Sequence, residues 1–265
     1  MIVARRVAAA ILLCLLVAGC DAIDRAAAEE YETAMKRWNE GDYQGAVKLY
    51  ITLARNHPFS PYADNALYWA GLTRFLYLGE TDKGLRTLQR LVKKYPRRDM
   101  TPAAQYQIAQ IYELGYGDHE RAIEEYGKAA GYTNREIREK SLYSLGDNLF
   151  RIGKVAEAND AWLRQTSEFP NGPQAALGLF RLGTTAFARG TLEEAEAYYR
   201  RSLGKDPDAE LVVKTKFALA NCLEAGENLQ EALDLYREIE PAYPNPEAIR
   251  IKITALETRI KKKSY

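Results

Sequence analysis

The stretch Ser141–Pro170, SLYSLGDNLFRIGKVAEANDAWLRQTSEFP, decides the fold. Leu142, Leu145, Leu149 and Ile152 fall at helical spacing on one face. Gly146 sits among them, where a missing side chain lets another helix come close. Gly153–Lys154 breaks the pattern, and Val155, Ala158, Trp162 and Phe169 then carry a second apolar face. Pro170 has no backbone N–H and disfavours helix at Phe169, so the second helix ends there. The segment predicts two amphipathic helices joined by a tight turn.

This unit recurs along the chain. The small residue of the first helix returns as Ala34, Gly71, Ala109, Gly146, Gly183 and Ala220, at gaps of 37, 38, 37, 37 and 37. The aromatic three residues earlier keeps the same register as Tyr31, Tyr68, Tyr106, Tyr143, Phe180 and Phe217. In the second helix the small residue is Ala46, Gly84, Ala122, Ala158, Ala195 and Ala232. Four residues on comes a large one: Tyr50, Leu88, Tyr126, Trp162, Tyr199 and Tyr236. Prolines 58, 96, 170, 207 and 244 close five of the six repeats. Independent columns in one register define a helical solenoid.

These columns resemble the tetratricopeptide repeat, with its small residue in helix A, small then aromatic residues in helix B, and closing proline. The spacings Gly146/Ala158/Trp162/Pro170, Gly183/Ala195/Tyr199/Pro207 and Ala220/Ala232/Tyr236/Pro244 are those of that family. The usual period is about 34, and the excess here lies in the turns between repeats. The resemblance implies an all-α, right-handed superhelical solenoid of about six helix pairs over residues 24–246. A capping helix and basic tail over residues 247–265 would close it, with Ile249, Ile253, Leu256 and Ile260 on its inner face. Repeats two and three depart from the pattern by one extra residue between their helices, and repeat three ends in Gly131 without a proline.

The first residues read as a targeting segment. Arg5 and Arg6 precede the apolar run Val7–Val17, and Leu16-Val17-Ala18-Gly19-Cys20 looks like a bacterial lipobox. Residues 1–19 are then a lipoprotein signal peptide, Cys20 is the acylated N-terminus, and residues 20–23 form a short tether. The expectation is a lipid anchor on the periplasmic side of the envelope. Asp21 resembles the inner-membrane retention signal of enteric bacteria, and inner versus outer membrane stays open.

Lys+Arg 37 against Asp+Glu 36 leaves no basic excess for nucleic acid. His57 and His119 have no partners at metal-ligand spacing, and no phosphate loop or nucleophile motif is present. No enzyme activity, cofactor or metal is expected. Cys222, among Leu219, Ala220 and Leu223, reads as a small core residue. Ser60-Pro61, Thr101-Pro102 and Asn245-Pro246 read as helix starts, and Thr133-x-x-Glu136 and Thr191-x-x-Glu194 as capping boxes.

Function is expected on the helix-A faces. In tetratricopeptide repeats the aromatic position and those four and seven residues on usually face the concave groove. That implies a protein-binding groove formed by Tyr31, Tyr68, Phe75, Tyr106, Tyr143, Phe150, Phe180 and Phe187. The other placement is as core, with the rings wedged between neighbouring first helices. The segment His57-Pro58-Phe59-Ser60-Pro61-Tyr62-Ala63 through Tyr68-Trp69-Ala70-Gly71 resembles two envelope groups. These are the lipoprotein of the outer-membrane β-barrel assembly machinery (BamD-like) and the periplasmic coordinator of the Tol–Pal system. Envelope proteins are the expected partners, with the membrane engaged through the N-terminal lipid. The competing class is a glycan- or peptidoglycan-binding platform, for which Gln110, Asp147 and Asn221 supply sparse polar groups.

Overall fold

The computed structural model describes residues 24–263. The leader, Cys20 and the tether lie outside the described residues. Two compact units divide the chain, Met1–Ile137 and Arg138–Tyr265. The N-terminal unit holds α1 (residues 24–39), α2 (Tyr43–Asn56), α3 (Ala63–Leu76), α4 (Thr81–Lys94), α5 (Met100–Gln110), a π-helical turn (Ile111–Tyr116) and α6 (His119–Ala129). Nearly all of α7 (Arg135–Arg151) lies in the C-terminal unit, with α8 (Val155–Glu168), α9 (Ala175–Ala188), α10 (Leu192–Leu203), α11 (Ala209–Ala225), α12 (Leu229–Ile239) and α13 (Pro246–Lys263). A short 3-10 turn, Glu240–Ala242, follows α12. The fold is all-α, a series of helix pairs as the columns predict, with no strand among the described residues.

Each pair closes in the same way. One residue after helix A adopts a left-handed conformation: Gly41, Gly79, Gly117, Gly153 and Gly190, with φ between 64° and 84°, and Glu227 at 62°. The next N–H then returns to a carbonyl of helix A, as in Lys154 to Leu149 at 2.9 Å and Asn228 to Leu223 at 2.9 Å. In repeats two and three this bond reaches one residue further back. Glu80 donates to Arg74 and Asp118 to Tyr112, both at 2.8 Å. The extra residue therefore widens the last turn of helix A and leaves the closure intact. In repeat three the widening is the π-helical turn itself.

The core follows from small over large. Tyr50, Leu88, Tyr126, Trp162, Tyr199 and Tyr236 are all at most 2 % exposed. Over Leu88, Trp162 and Tyr199 lie the helix-A glycines Gly71, Gly146 and Gly183. A Cβ at Gly146 would meet the Trp162 ring at 2.4 Å, and one at Gly183 would meet Tyr199 at 2.7 Å. The Trp162 indole N–H donates to the Tyr143 carbonyl at 3.3 Å, which satisfies the polar end of the ring inside the core. Truncating such a ring to alanine costs about 3–5 kcal/mol. Cys222 is buried and its thiol donates to the Leu192 carbonyl at 3.2 Å.

Capping differs in part from the expectation. Asn245 does cap α13, its side chain accepting from Ala248 N–H at 3.2 Å. At α7 the capping side chain is Asn134, which accepts from Ile137 N–H at 3.0 Å, and not Thr133. Thr191 precedes α10, but its hydroxyl donates back to the Ala186 carbonyl at 3.0 Å and caps no N–H. Thr101 lies inside α5, its hydroxyl on the Tyr95 carbonyl, and Ser60 accepts from Tyr62 N–H in the turn ahead of α3. For Thr191, Thr101 and Ser60 a neighbouring backbone carbonyl or N–H competes for the hydroxyl.

In the C-terminal unit α13 covers the last pair. Ile249 and Leu256 are fully buried, and Ile253 and Ile260 pack beside them. Lys252 and Arg259 both reach Glu224 at 3.0 Å, while Arg259 and Lys263 hold Glu227 at 2.8 and 2.5 Å.

Candidate helix-A binding faces

The aromatic column is half core and half surface. In the N-terminal unit Tyr31 lies 5.5 Å from Tyr50 and 5.4 Å from Tyr62, ring centre to ring centre. Tyr106 lies 5.4 Å from Tyr126, and Tyr68 lies 5.8 Å from Trp69. In the C-terminal unit Phe180 and Phe217 each lie 6.0 Å from the helix-B tyrosine of their own repeat, Tyr199 and Tyr236. All six column residues, Tyr143 included, keep part of their surface open. In repeats one, three, five and six one side of the ring rests against the buried ring of helix B.

The rings seven residues on are placed unevenly. Phe150 is 40 % exposed and lies 6.0 Å from Trp162. Phe187 is half-buried against the core of its unit. Phe75 is half-buried as well, and a Cβ at Gly84 or Gly115 would stand 3.2 Å from it. It fills the space beside the widened turn of repeat three. Sequence reasoning missed a second aromatic group around Trp38, with Tyr77, Tyr43 and Trp69 at 5.3, 5.6 and 6.0 Å. These rings come from the end of α1, the start of α2, the middle of α3 and the residue after it, and nothing in their spacing says that they converge.

Polar groups at the same positions are mostly committed internally. The Tyr126 hydroxyl donates to Glu113 at 2.7 Å, and the Tyr236 hydroxyl to Asn221 at 2.8 Å. Burial, with Glu224 beside it, raises the Tyr236 phenol far above its ordinary range. The exception lies in the C-terminal unit, where Arg181 holds Asp147 at 2.9 Å next to Tyr143. Asp147 Oδ1 and Arg181 Nε are buried there without hydrogen-bond partners. Burial pushes the Tyr143 phenol up, and the Asp147 carboxylate adds to it. Tyr143, Phe180, Arg181 and Lys214 line a cleft of about 220 Å³ at this place. Asp147 is visible in the sequence as a helix-A position, but its pairing with Arg181 on α9 is not.

Among the described residues no cluster of three or more His, Cys, Asp or Glu could hold a metal ion. No described helix is long and apolar enough to cross a membrane.

Small-over-large helix pairs, left-handed closures and half-open aromatic faces define the tetratricopeptide class. The chain carries such repeats: residues 65–97 and 143–210 each match a tetratricopeptide-repeat family profile. No curated protein sequence matches the chain. Among solved structures the fold is similar to that of pilF from Pseudomonas aeruginosa. Identity there is 13 %, with 87 % of this chain and 99 % of that one covered and a TM-score of 0.63. It is also similar to PilW, described as a widely conserved type IV pilus biogenesis factor, at 15 % identity, 86 % and 98 % coverage and a TM-score of 0.59. A tetratricopeptide repeat protein from Parabacteroides merdae matches at 16 % identity, 88 % coverage of both chains and a TM-score of 0.59. At these identities the likeness is one of fold.

Proposed function

We propose that this chain is a non-enzymatic, lipid-anchored scaffold facing the periplasm, which holds protein partners against its helix-A faces during assembly of an envelope structure. The observation that carries the reading is the open side of each column ring. Tyrosine and phenylalanine held against a rigid core offer large contact area at little entropic cost. The description of PilW as a pilus biogenesis factor supports an assembly role. The lipobox ending at Cys20 supports the anchor. A second reading, glycan binding, is favoured by one feature only, the unpartnered polar atoms of Asp147 and Arg181 beside Tyr143.

Tyr106→Leu and Tyr143→Leu keep bulk over helix B and remove the ring. They should leave the urea midpoint within about 1 kcal/mol of the parent. Capture of envelope proteins should fall about 30-fold, the factor for 2 kcal/mol. Unchanged capture by both variants would refute the helix-A site. Capture of purified sacculi but no protein would favour the glycan reading. For the anchor, Cys20→Ser should move the protein from the membrane fraction to the soluble one. A mature protein without diacylglyceryl at Cys20, seen by mass spectrometry, would remove that part of the proposal.

A further inference from the structure

The N-terminal unit carries an edge that partner binding on helix A does not use. In the turn between α2 and α3 the ring of Phe59 is 91 % exposed. The backbone beneath it is tied down. The Tyr95 hydroxyl donates to the Pro58 carbonyl at 2.8 Å, and the Arg98 guanidinium donates to the Phe59 carbonyl at 3.1 Å. Arg55 ends α2 close by, Lys93 and Lys94 end α4 just before Tyr95, and Arg97 precedes Arg98; these four are exposed. No ion pair engages any of the four among the described residues. Of the nearby carboxylates, Glu30 is held by His57 at 3.3 Å and Asp64 is buried, which leaves Asp99 exposed.

Several charged turns elsewhere are paired. At the opposite edge of the same unit Asp42 holds Arg37 at 2.8 Å, Glu80 holds Lys83 at 2.5 Å and Asp118 holds Arg121 at 3.2 Å. In the C-terminal unit Arg138 and Arg164 both sit on Glu168 at 2.7 Å. Cations at helix C-termini oppose the helix dipole, which accounts for Arg55, Lys93 and Lys94 in part. It does not account for Arg97 or for an apolar ring held in water. The same edge receives the start of the fold. The His57–Glu30 contact and the Tyr31–Tyr62 ring pair place residues 57–62 beside the first turns of α1.

We infer that this edge is a seat for an anionic lipid surface. Phe59 enters the boundary between headgroups and acyl chains, and Arg55, Lys93, Lys94 and Arg97 meet lipid phosphates. An aromatic ring flanked by long basic side chains suits that boundary. Each cation near such a surface is worth about fivefold in partition. The inference does not depend on acylation of Cys20.

The test uses the chain from residue 20 with Cys20→Ser, which retains every described residue and cannot be acylated. It should co-sediment with phosphatidylglycerol-containing vesicles, not with pure phosphatidylcholine, and be released by 0.5 M salt. Lys93→Gln/Lys94→Gln/Arg97→Gln should lower partition about 100-fold, and Phe59→Ser about fivefold or more, both with unchanged helicity by circular dichroism. No partition into anionic vesicles, or equal partition by the triple variant, overturns the inference. So does binding to soluble polyphosphate or an acidic polypeptide in place of vesicles, insensitive to Phe59→Ser. Failure here leaves the anchor reading intact, since that is read from Cys20 by mass spectrometry.

Discussion

Two glycines seven residues apart, Gly146 and Gly153, do different work. Gly146 is required by contact, because a Cβ there would meet the Trp162 ring at 2.4, 2.6 and 2.7 Å. Gly153 has nothing within 4 Å of such a Cβ, and is required by its φ of 80°. Gly146→Ala should therefore cost about 1–3 kcal/mol through forced repacking. Gly153→Ala should cost about 1 kcal/mol through backbone strain alone. Urea unfolding of both checks this, and near-ultraviolet circular dichroism should change for Gly146→Ala only, since only it displaces the tryptophan. Glu227 holds the equivalent left-handed position in repeat six without being glycine. Its carboxylate is gripped by Arg259 and Lys263, and these contacts offset part of the strain.

Among the elements, α8 shows how charge ties one helix to another. Glu168 ends that helix, where the dipole disfavours a carboxylate. Arg138 on α7, then Arg164, hold it below the usual carboxylate range. With the folded pKa lowered, the stabilisation is present above the unfolded value and lost as pH falls through the folded one. The parent should lose stability between about pH 5 and pH 3, and Glu168→Gln should flatten that loss. The pair is a third exposed, so the difference should be at most about 1 kcal/mol, read as the change in urea midpoint with pH. Identical pH profiles would show that the bridge contributes nothing. The π-helical turn Ile111–Tyr116 takes up the extra residue of repeat three. An extra residue between Ala109 and Ala122 was visible by counting. Its absorption by a wider final turn of helix A was not, because a longer loop would satisfy the same count.

For the molecule as a whole, α13 decides whether the C-terminal unit is closed. Removing residues 246–265 would expose the last core face and strand Glu224 and Glu227 without Lys252, Arg259 and Lys263. The truncated chain should aggregate and lose several kcal/mol, whereas removing residues 261–265 should cost about 1 kcal/mol or less. Light scattering and urea melts of both truncations check the order. The sequence by itself determined the helix pairs, their register and their core. A repeat must bury small residues against large ones at constant spacing, and that demand is written in every copy. The tertiary structure alone decided how the helix-A aromatics are seated. One period places a ring on a face, but how much stays open depends on the helix-B ring beneath it. It alone also brought Phe59, Arg55, Lys93, Lys94 and Arg97 to one edge, because turns about 38 residues apart meet only when the pairs stack.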